Sequence, residues 1–88
     1  MNHEFQKTGL NTVTSSQGFT VEVKFAGGVH YHDAIGDILI DSEWLVNPPR
    51  ILLYRRRAYV SDSRLNDVYA NAQRALEYLG HRVETWTD

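Results

Sequence analysis

From Phe19 to Phe25 apolar and polar residues alternate without a break: Phe19, Val21, Val23 and Phe25 are separated by Thr20, Glu22 and Lys24. A period of two is the signature of a strand with one buried and one wet face, as in an antiparallel sheet. Ala26-Gly27-Gly28 interrupts the pattern as a turn, and Val29-His30-Tyr31-His32 resumes it. The loop length follows from which side chains would face one another. A two-residue Gly27-Gly28 loop sets His30 opposite Phe25 and puts both imidazoles on the apolar face. A three-residue loop with Gly28 in the left-handed region instead pairs Phe25 with Val29 and Val23 with Tyr31, which lays His32 beside Glu22 on the outer face. The three-residue loop is therefore expected.

Asp37-Ile38-Leu39-Ile40-Asp41 starts a further strand, which can run on through Glu43-Trp44-Leu45-Val46 after a bend at Asp41-Ser42. Pro48 and Pro49 fix φ and donate no backbone hydrogen bond, so they end that strand and open the next. The continuous apolar run Ile51 to Tyr54 reads as a strand covered on both faces. From Leu65 the period becomes helical, with Leu65, Val68, Tyr69, Ala72, Leu76 and Leu79 three and four apart. Ser61 or Asp62 supplies the N-cap and Gly80 the stop. Arg64, Asn66, Asn71, Gln73 and Glu77 are expected to face water, and residues 81–86 return to a strand pattern. The fold class predicted is α+β: a small antiparallel β-sheet packed on one C-terminal α-helix, with a short final strand. Residues 1–18 read as a polar N-terminal arm or edge strand, and residues 19–88 as a single α+β domain.

With 88 residues the chain has room for one domain, and its 42% hydrophobic and 23% charged content lies in the globular range. There is no cysteine, so disulfides and thiolate metal sites are excluded. No stretch approaches the length of a membrane span and no leader pattern opens the chain, which points to a cytoplasmic protein with no membrane partner. The net charge of −2 is uneven. Residues 1–49 carry two lysines against six carboxylates, whereas residues 50–88 carry seven arginines against five. Surfaces of opposite sign on one small domain favour a protein partner of mixed charge, with a homodimer as the secondary reading.

The chemistry concentrates around the double proline. Arg50, Arg55, Arg56 and Arg57, with Tyr54, Tyr59, Glu43 and Trp44, are the candidate partner-binding residues. Guanidinium groups suit bidentate pairing with carboxylates of a protein. Aromatic rings flanking arginines also suit stacking on a nucleic-acid strand, although the acidic balance of the chain opposes the electrostatic attraction that dominates such binding. His30 and His32, two apart on a strand, could share a metal ion, but the remaining histidines, His3 and His81, have no spacing that completes a site. Their alternative reading is as surface imidazoles beside Glu22. Asp33, Asp37, Asp41 and Glu43 with His30 or His32 are the candidates for acid–base chemistry, but proximity in sequence alone is a weak signal, and the serines lack a nucleophile motif. The reading is of a protein that is not an enzyme, with no catalytic, cofactor-binding or metal residues. Trp44 beside Glu43 could be an exposed interface anchor and Trp86 either an anchor or part of the core, and substantial burial is the expectation for each.

Ile40-Asp41-Ser42-Glu43-Trp44-Leu45, the strand Ile51-Leu52-Leu53-Tyr54, and the segment Leu76-Glu77-Tyr78-Leu79-Gly80-His81-Arg82-Val83-Glu84 together resemble small bacterial immunity proteins of polymorphic-toxin and contact-dependent inhibition systems. The resemblance spans roughly residues 19–86 and lies mainly in the order of elements. Where such proteins carry a Trp-Glu pair shortly before the helix, this chain has Tyr59-Val60-Ser61-Asp62, so no functional residue carries over there. The resemblance implies a non-enzymatic protein that binds and neutralises a cognate toxin domain in the cytoplasm. The alternative is a phage-encoded or regulatory small protein that binds nucleic acid through Arg55, Arg56 and Arg57.

Overall fold

The alternating segment forms a strand as expected, but it is the third of a longer meander. The computed structural model describes residues 4–24, 28–55 and 62–87. In chain order it contains β1 (Phe5–Gly9), β2 (Thr12–Ser15), β3 (Phe19–Lys24), β4 (Gly28–Asp33), β5 (Asp37–Ile40), β6 (Ser42–Val46), β7 (Pro49–Arg55), α1 (Asp62–Tyr78) and β8 (Val83–Thr87). The class is α+β, with an antiparallel sheet, one C-terminal helix and a final strand. Strands β1 to β5 pair in sequence order, while β6, β7 and β8 form a second sheet. In that second sheet β8 runs parallel to β7, because α1 carries the chain back across the sheet before β8 begins. The polar N-terminal segment supplies β1 and β2, and Val13 is fully buried in the core.

The strands therefore divide between two sheets where the sequence suggested one. The division occurs at the bend foreseen at Asp41-Ser42. Before it, β5 pairs with β4; after it, β6 pairs with β7. The ladder on β4 runs out at Gly28, so the chain beyond Ile40 has no β4 backbone left to meet. A Cβ on Gly28 would lie 2.8 Å from the Ile40 carbonyl oxygen, so the residue must be glycine for β4 to approach β5 this closely.

Gly28 has the expected positive φ, 81°. The hairpin register, however, is displaced by two residues from expectation. Val23 pairs with Val29, Val21 with Tyr31, Glu22 with His30, and Thr20 with His32. A slip of two keeps every side chain on its own face, so alternation in the sequence cannot distinguish the two registers. Both histidines accordingly lie off the apolar face, with His30 rather than His32 opposite Glu22. The expected partner Phe25, with Ala26 and Gly27, lies outside the described residues.

Helix α1 lays its stripe across both sheets. Leu65, Val68, Ala72, Ala75 and Leu76 pack with Val21, Val29, Ile40, Ile51 and Leu53 in one core. Tyr69 donates its hydroxyl to the Tyr54 carbonyl at 2.6 Å, tying the helix to β7. The helix closes with Gly80 at φ 98°, and His81 and Gly80 amides bond back to the carbonyls of Leu76 and Glu77, the two reciprocal bonds of a Schellman ending. The helix begins at Asp62, and the alternative cap Ser61 lies outside the described residues. Two positions expected to face water do not do so. Arg64 pairs with Asp33 at 3.2 Å, and Asn71 donates to the Tyr31 hydroxyl at 3.2 Å.

Candidate functional site

The run from Ile51 to Tyr54 was expected to be covered on both faces and is covered on one. Ile51 and Leu53 have no exposed surface, whereas Leu52 and Tyr54 point the other way and are only half-buried. The registers of the second sheet define what shares that outer side. Leu45 is opposite Arg50, Glu43 opposite Leu52, Leu52 beside Glu84, and Tyr54 beside Trp86. The face is thus a central strip of Leu45, Leu52, Tyr54 and Trp86 bordered by Glu43, Arg50 and Glu84.

Trp86, expected to be largely buried, is 52% exposed. Its ring stands edge-on to Tyr54 with centroids 5.9 Å apart, which fixes it without covering it. The signal for this lay in the sequence: Glu84 is two residues earlier, and alternate residues share a face. Trp44 is half-buried on the core side, edge-on to His81 at 5.0 Å. Burial of His81 there holds its pKa below the ordinary imidazole value.

The polar groups of the face are held by one another. The Tyr54 hydroxyl donates to Glu43 at 2.7 Å. Arg50 Nε donates to Glu84 at 3.3 Å, and Nη1 to the Pro48 carbonyl at 2.8 Å. Such pairs add little stability in solvent but orient the side chains. The Asn47–Pro48 bond is cis, and β7 starts at Pro49. Arg55 projects to the other side of β7, where it donates to Asn66 at 2.5 Å and lies 6.0 Å from the Tyr69 ring centre. The structure therefore separates the residues singled out from sequence. Arg50, Tyr54 and Glu43 meet on one face, Arg55 and Trp44 turn toward the helix side, and Arg56, Arg57 and Tyr59 lie outside the described residues. Leu45, Leu52 and Glu84, which no sequence motif marks, complete the face together with Trp86, the tryptophan open to either an anchor or a core reading.

A second polar constellation joins β1, β2 and β4 to the helix. Arg74 grips both oxygens of Glu4 at 2.7 and 2.8 Å, and Ser15 donates to the same carboxylate at 3.2 Å. The Arg74 bond is the main reason that Glu4 stays below the ordinary carboxylate pKa. Asn71 connects Arg74 to Tyr31, whose hydroxyl burial pushes its pKa upward. This network braces the N-terminal hairpin against the helix.

On the outer face of the five-stranded sheet, His32 bonds to Asp37, which raises the imidazole pKa. Among the described residues no group of three or more His, Asp or Glu side chains gathers as a metal-binding set. A cleft of about 400 Å³ opens where the sheets part, lined by Asp37, Ile38, Leu39, Asp41 and Tyr69. Its Tyr69 hydroxyl is already committed to β7. No helix among the described residues is long and apolar enough to cross a membrane. Comparison with protein-family models, with curated proteins and with solved structures gives no match to this chain.

Proposed function

We propose that the protein works by binding another protein through the outer face of β6, β7 and β8, as a non-enzymatic cytoplasmic inhibitor of the kind the resemblance to immunity proteins implies. The observation that carries this reading is the half-exposed Trp86, set against Tyr54 on a face it shares with Leu52 and bordered by Glu43, Arg50 and Glu84. A compact aromatic and aliphatic centre with a polar rim is the anatomy of a protein interface, and Trp, Tyr and Arg dominate its energetics. Charges of both signs at the rim suit a partner with complementary charges around an apolar contact.

The nucleic-acid reading is weaker on this surface. Arg50 already serves a carboxylate, Arg55 an amide and an aromatic face, and the exposed centre is bordered by two glutamates. Those arrangements leave two of the four candidate arginines poorly placed to neutralise phosphates.

The reading is tested by capturing the partner with tagged protein from its host and reconstituting the purified pair. Trp86→Ala is expected to weaken the complex by roughly 2 kcal/mol or more, the range of a central anchor. Arg50→Ala, at the rim, should mainly slow association. If the purified protein instead shifts RNA or DNA at physiological salt, and Glu at positions 55, 56 and 57 abolishes the shift, the protein-binding reading is to be abandoned.

A further inference from the structure

The two sheets have four edges, and three of them carry devices that discourage strand addition. The β1 edge has a bulge between Lys7 and Gly9, and Lys7 sits on the core-side register opposite Val13. The β5 edge is four residues long, starts at the charged Asp37 and stops at the bend. The β6 edge begins at that bend and is ended by Pro48 and Pro49. Among the described residues the β8 edge has no bulge, bend or proline, and its one charge, Glu84, is held by Arg50 of the neighbouring strand. Its pairing with β7 is regular over all five residues, residues 83–87 include no proline and no lysine, and Glu84, Thr85 and Trp86 are all exposed.

The direction of its backbone groups follows from the parallel ladder. Ile51 donates to the Arg82 carbonyl at 2.8 Å and is registered with Val83. In a parallel pair, a residue bonds to the two residues flanking its registered partner. Arg82, Glu84 and Trp86 therefore direct their polar groups to β7, while Val83, Thr85 and Thr87 direct theirs to the outer edge, which no other described strand meets.

We propose that β8 pairs antiparallel with β8 of a second copy of this chain, about a two-fold axis at Thr85, joining two three-stranded sheets into one of six strands. The outward groups select this axis. With Thr85 facing Thr85 of the second copy, Val83 faces Thr87, and all three outward residues on each strand exchange hydrogen bonds. An axis at Glu84 shortens the ladder and opposes two carboxylates, which is unfavourable. The Thr85 axis instead sets each Glu84 beside Trp86 of the other copy on the outer face, in the closer, non-hydrogen-bonded type of pair. The exposed Trp86 thereby gains cover, and Glu84 remains held by its own Arg50. A two-fold contact between identical edges is closed, so it yields a dimer and not a fibre. The contact uses an edge, which leaves the outer face of each sheet continuous across the dimer.

Thr85→Pro tests this specifically. The lost N–H points away from β7, the one orientation in which an edge strand accepts proline. Sedimentation equilibrium of the full chain is expected to show the parent reaching twice the monomer mass with rising concentration, and Thr85→Pro weakened at least about tenfold. As a measurement that needs no variant, amide exchange of the parent should show Val83 and Thr85 becoming protected on concentration, with Glu84 protected throughout. A parent that stays monomeric into the millimolar range overturns the proposal. So does a dimer in which the Val83 and Thr85 amides exchange as fast as in the monomer, whether or not the proline variant folds.

Discussion

The two sheets share one core and differ on their outer faces. In the five-stranded sheet the outer positions are Thr12, Thr14, Thr20, Glu22, Lys24, His30, His32 and Asp37, with Leu39 the large apolar exception. Three hydroxyls, of Thr8, Thr14 and Thr20, even bond in a row across three strands. In the three-stranded sheet the equivalent positions are Leu45, Leu52, Tyr54 and Trp86 among three charges. Both faces are opposite well-packed interiors, so folding alone does not require apolar groups on either. The first face is polar but for Leu39, and the second has a part-exposed apolar centre.

Core substitutions set the scale against which the faces are judged. Leu76 has no exposed surface and touches both sheets' shared interior, so Leu76→Ala should cost about 2–4 kcal/mol in denaturant unfolding. Loss of under about 0.5 kcal/mol would show that the helix is not the common cover of the two sheets. Gly28→Ala tests the seam between them. It forces a side chain onto a backbone at φ 81° and toward the Ile40 carbonyl, which should cost about 1–3 kcal/mol. A Gly28→Ala protein as stable as the parent would mean that β4 and β5 can separate there freely.

The faces themselves should part in behaviour more than in stability. Leu52→Asp and Thr20→Asp both place a carboxylate on an outer face, and each should alter unfolding free energy by about 1 kcal/mol or less. Partner binding should be lost for Leu52→Asp and kept for Thr20→Asp. Equal binding by the two variants would erase the distinction between the sheets.

Smaller effects come from titration. The bond from Arg74 keeps the Glu4 pKa low, so its stabilisation is present above the ordinary value of 4.5 and is lost as pH falls through the lowered one. Arg74→Met should therefore reduce the melting temperature at neutral pH, with the gap closing as pH falls below 4.5 and through the lowered value. The His32 pKa is raised by Asp37, so that contribution is present below 6.5 and fades as pH rises through the raised value. Both groups are well exposed, and thermal melts of Asp37→Asn should differ from the parent only slightly, and only at the acidic end.

Much of this arrangement is legible in the residues. The alternation at Phe19 to Lys24, the bend at Asp41-Ser42, the proline turn, the positive φ of Gly28 and the helix from Asp62 to the Gly80 stop all follow from local chemistry. Less legible was the candidate face. Arg50, Tyr54 and Glu43 stand out by residue type, but Leu45, Leu52, Glu84 and Trp86 join them only once β6, β7 and β8 are in register. Arg55 was grouped with Arg50 by proximity in sequence, and strand parity sends the two to opposite sides.

What the sequence determined by itself was the face on which each side chain lies within its own element, because periods of two and 3.6 are properties of the backbone. What the tertiary structure decided was which elements meet. The hairpin could slip by two residues without moving any side chain to another face, so its register required the close approach of Gly28 to β5. The split into two sheets required β4 to end before β6 began. The bonds from Arg74 to Glu4, and from Asn71 to Tyr31, join residues brought together by the packing of α1 on the meander. Pairings of this kind depend on distances closed by folding, and no local pattern encodes them.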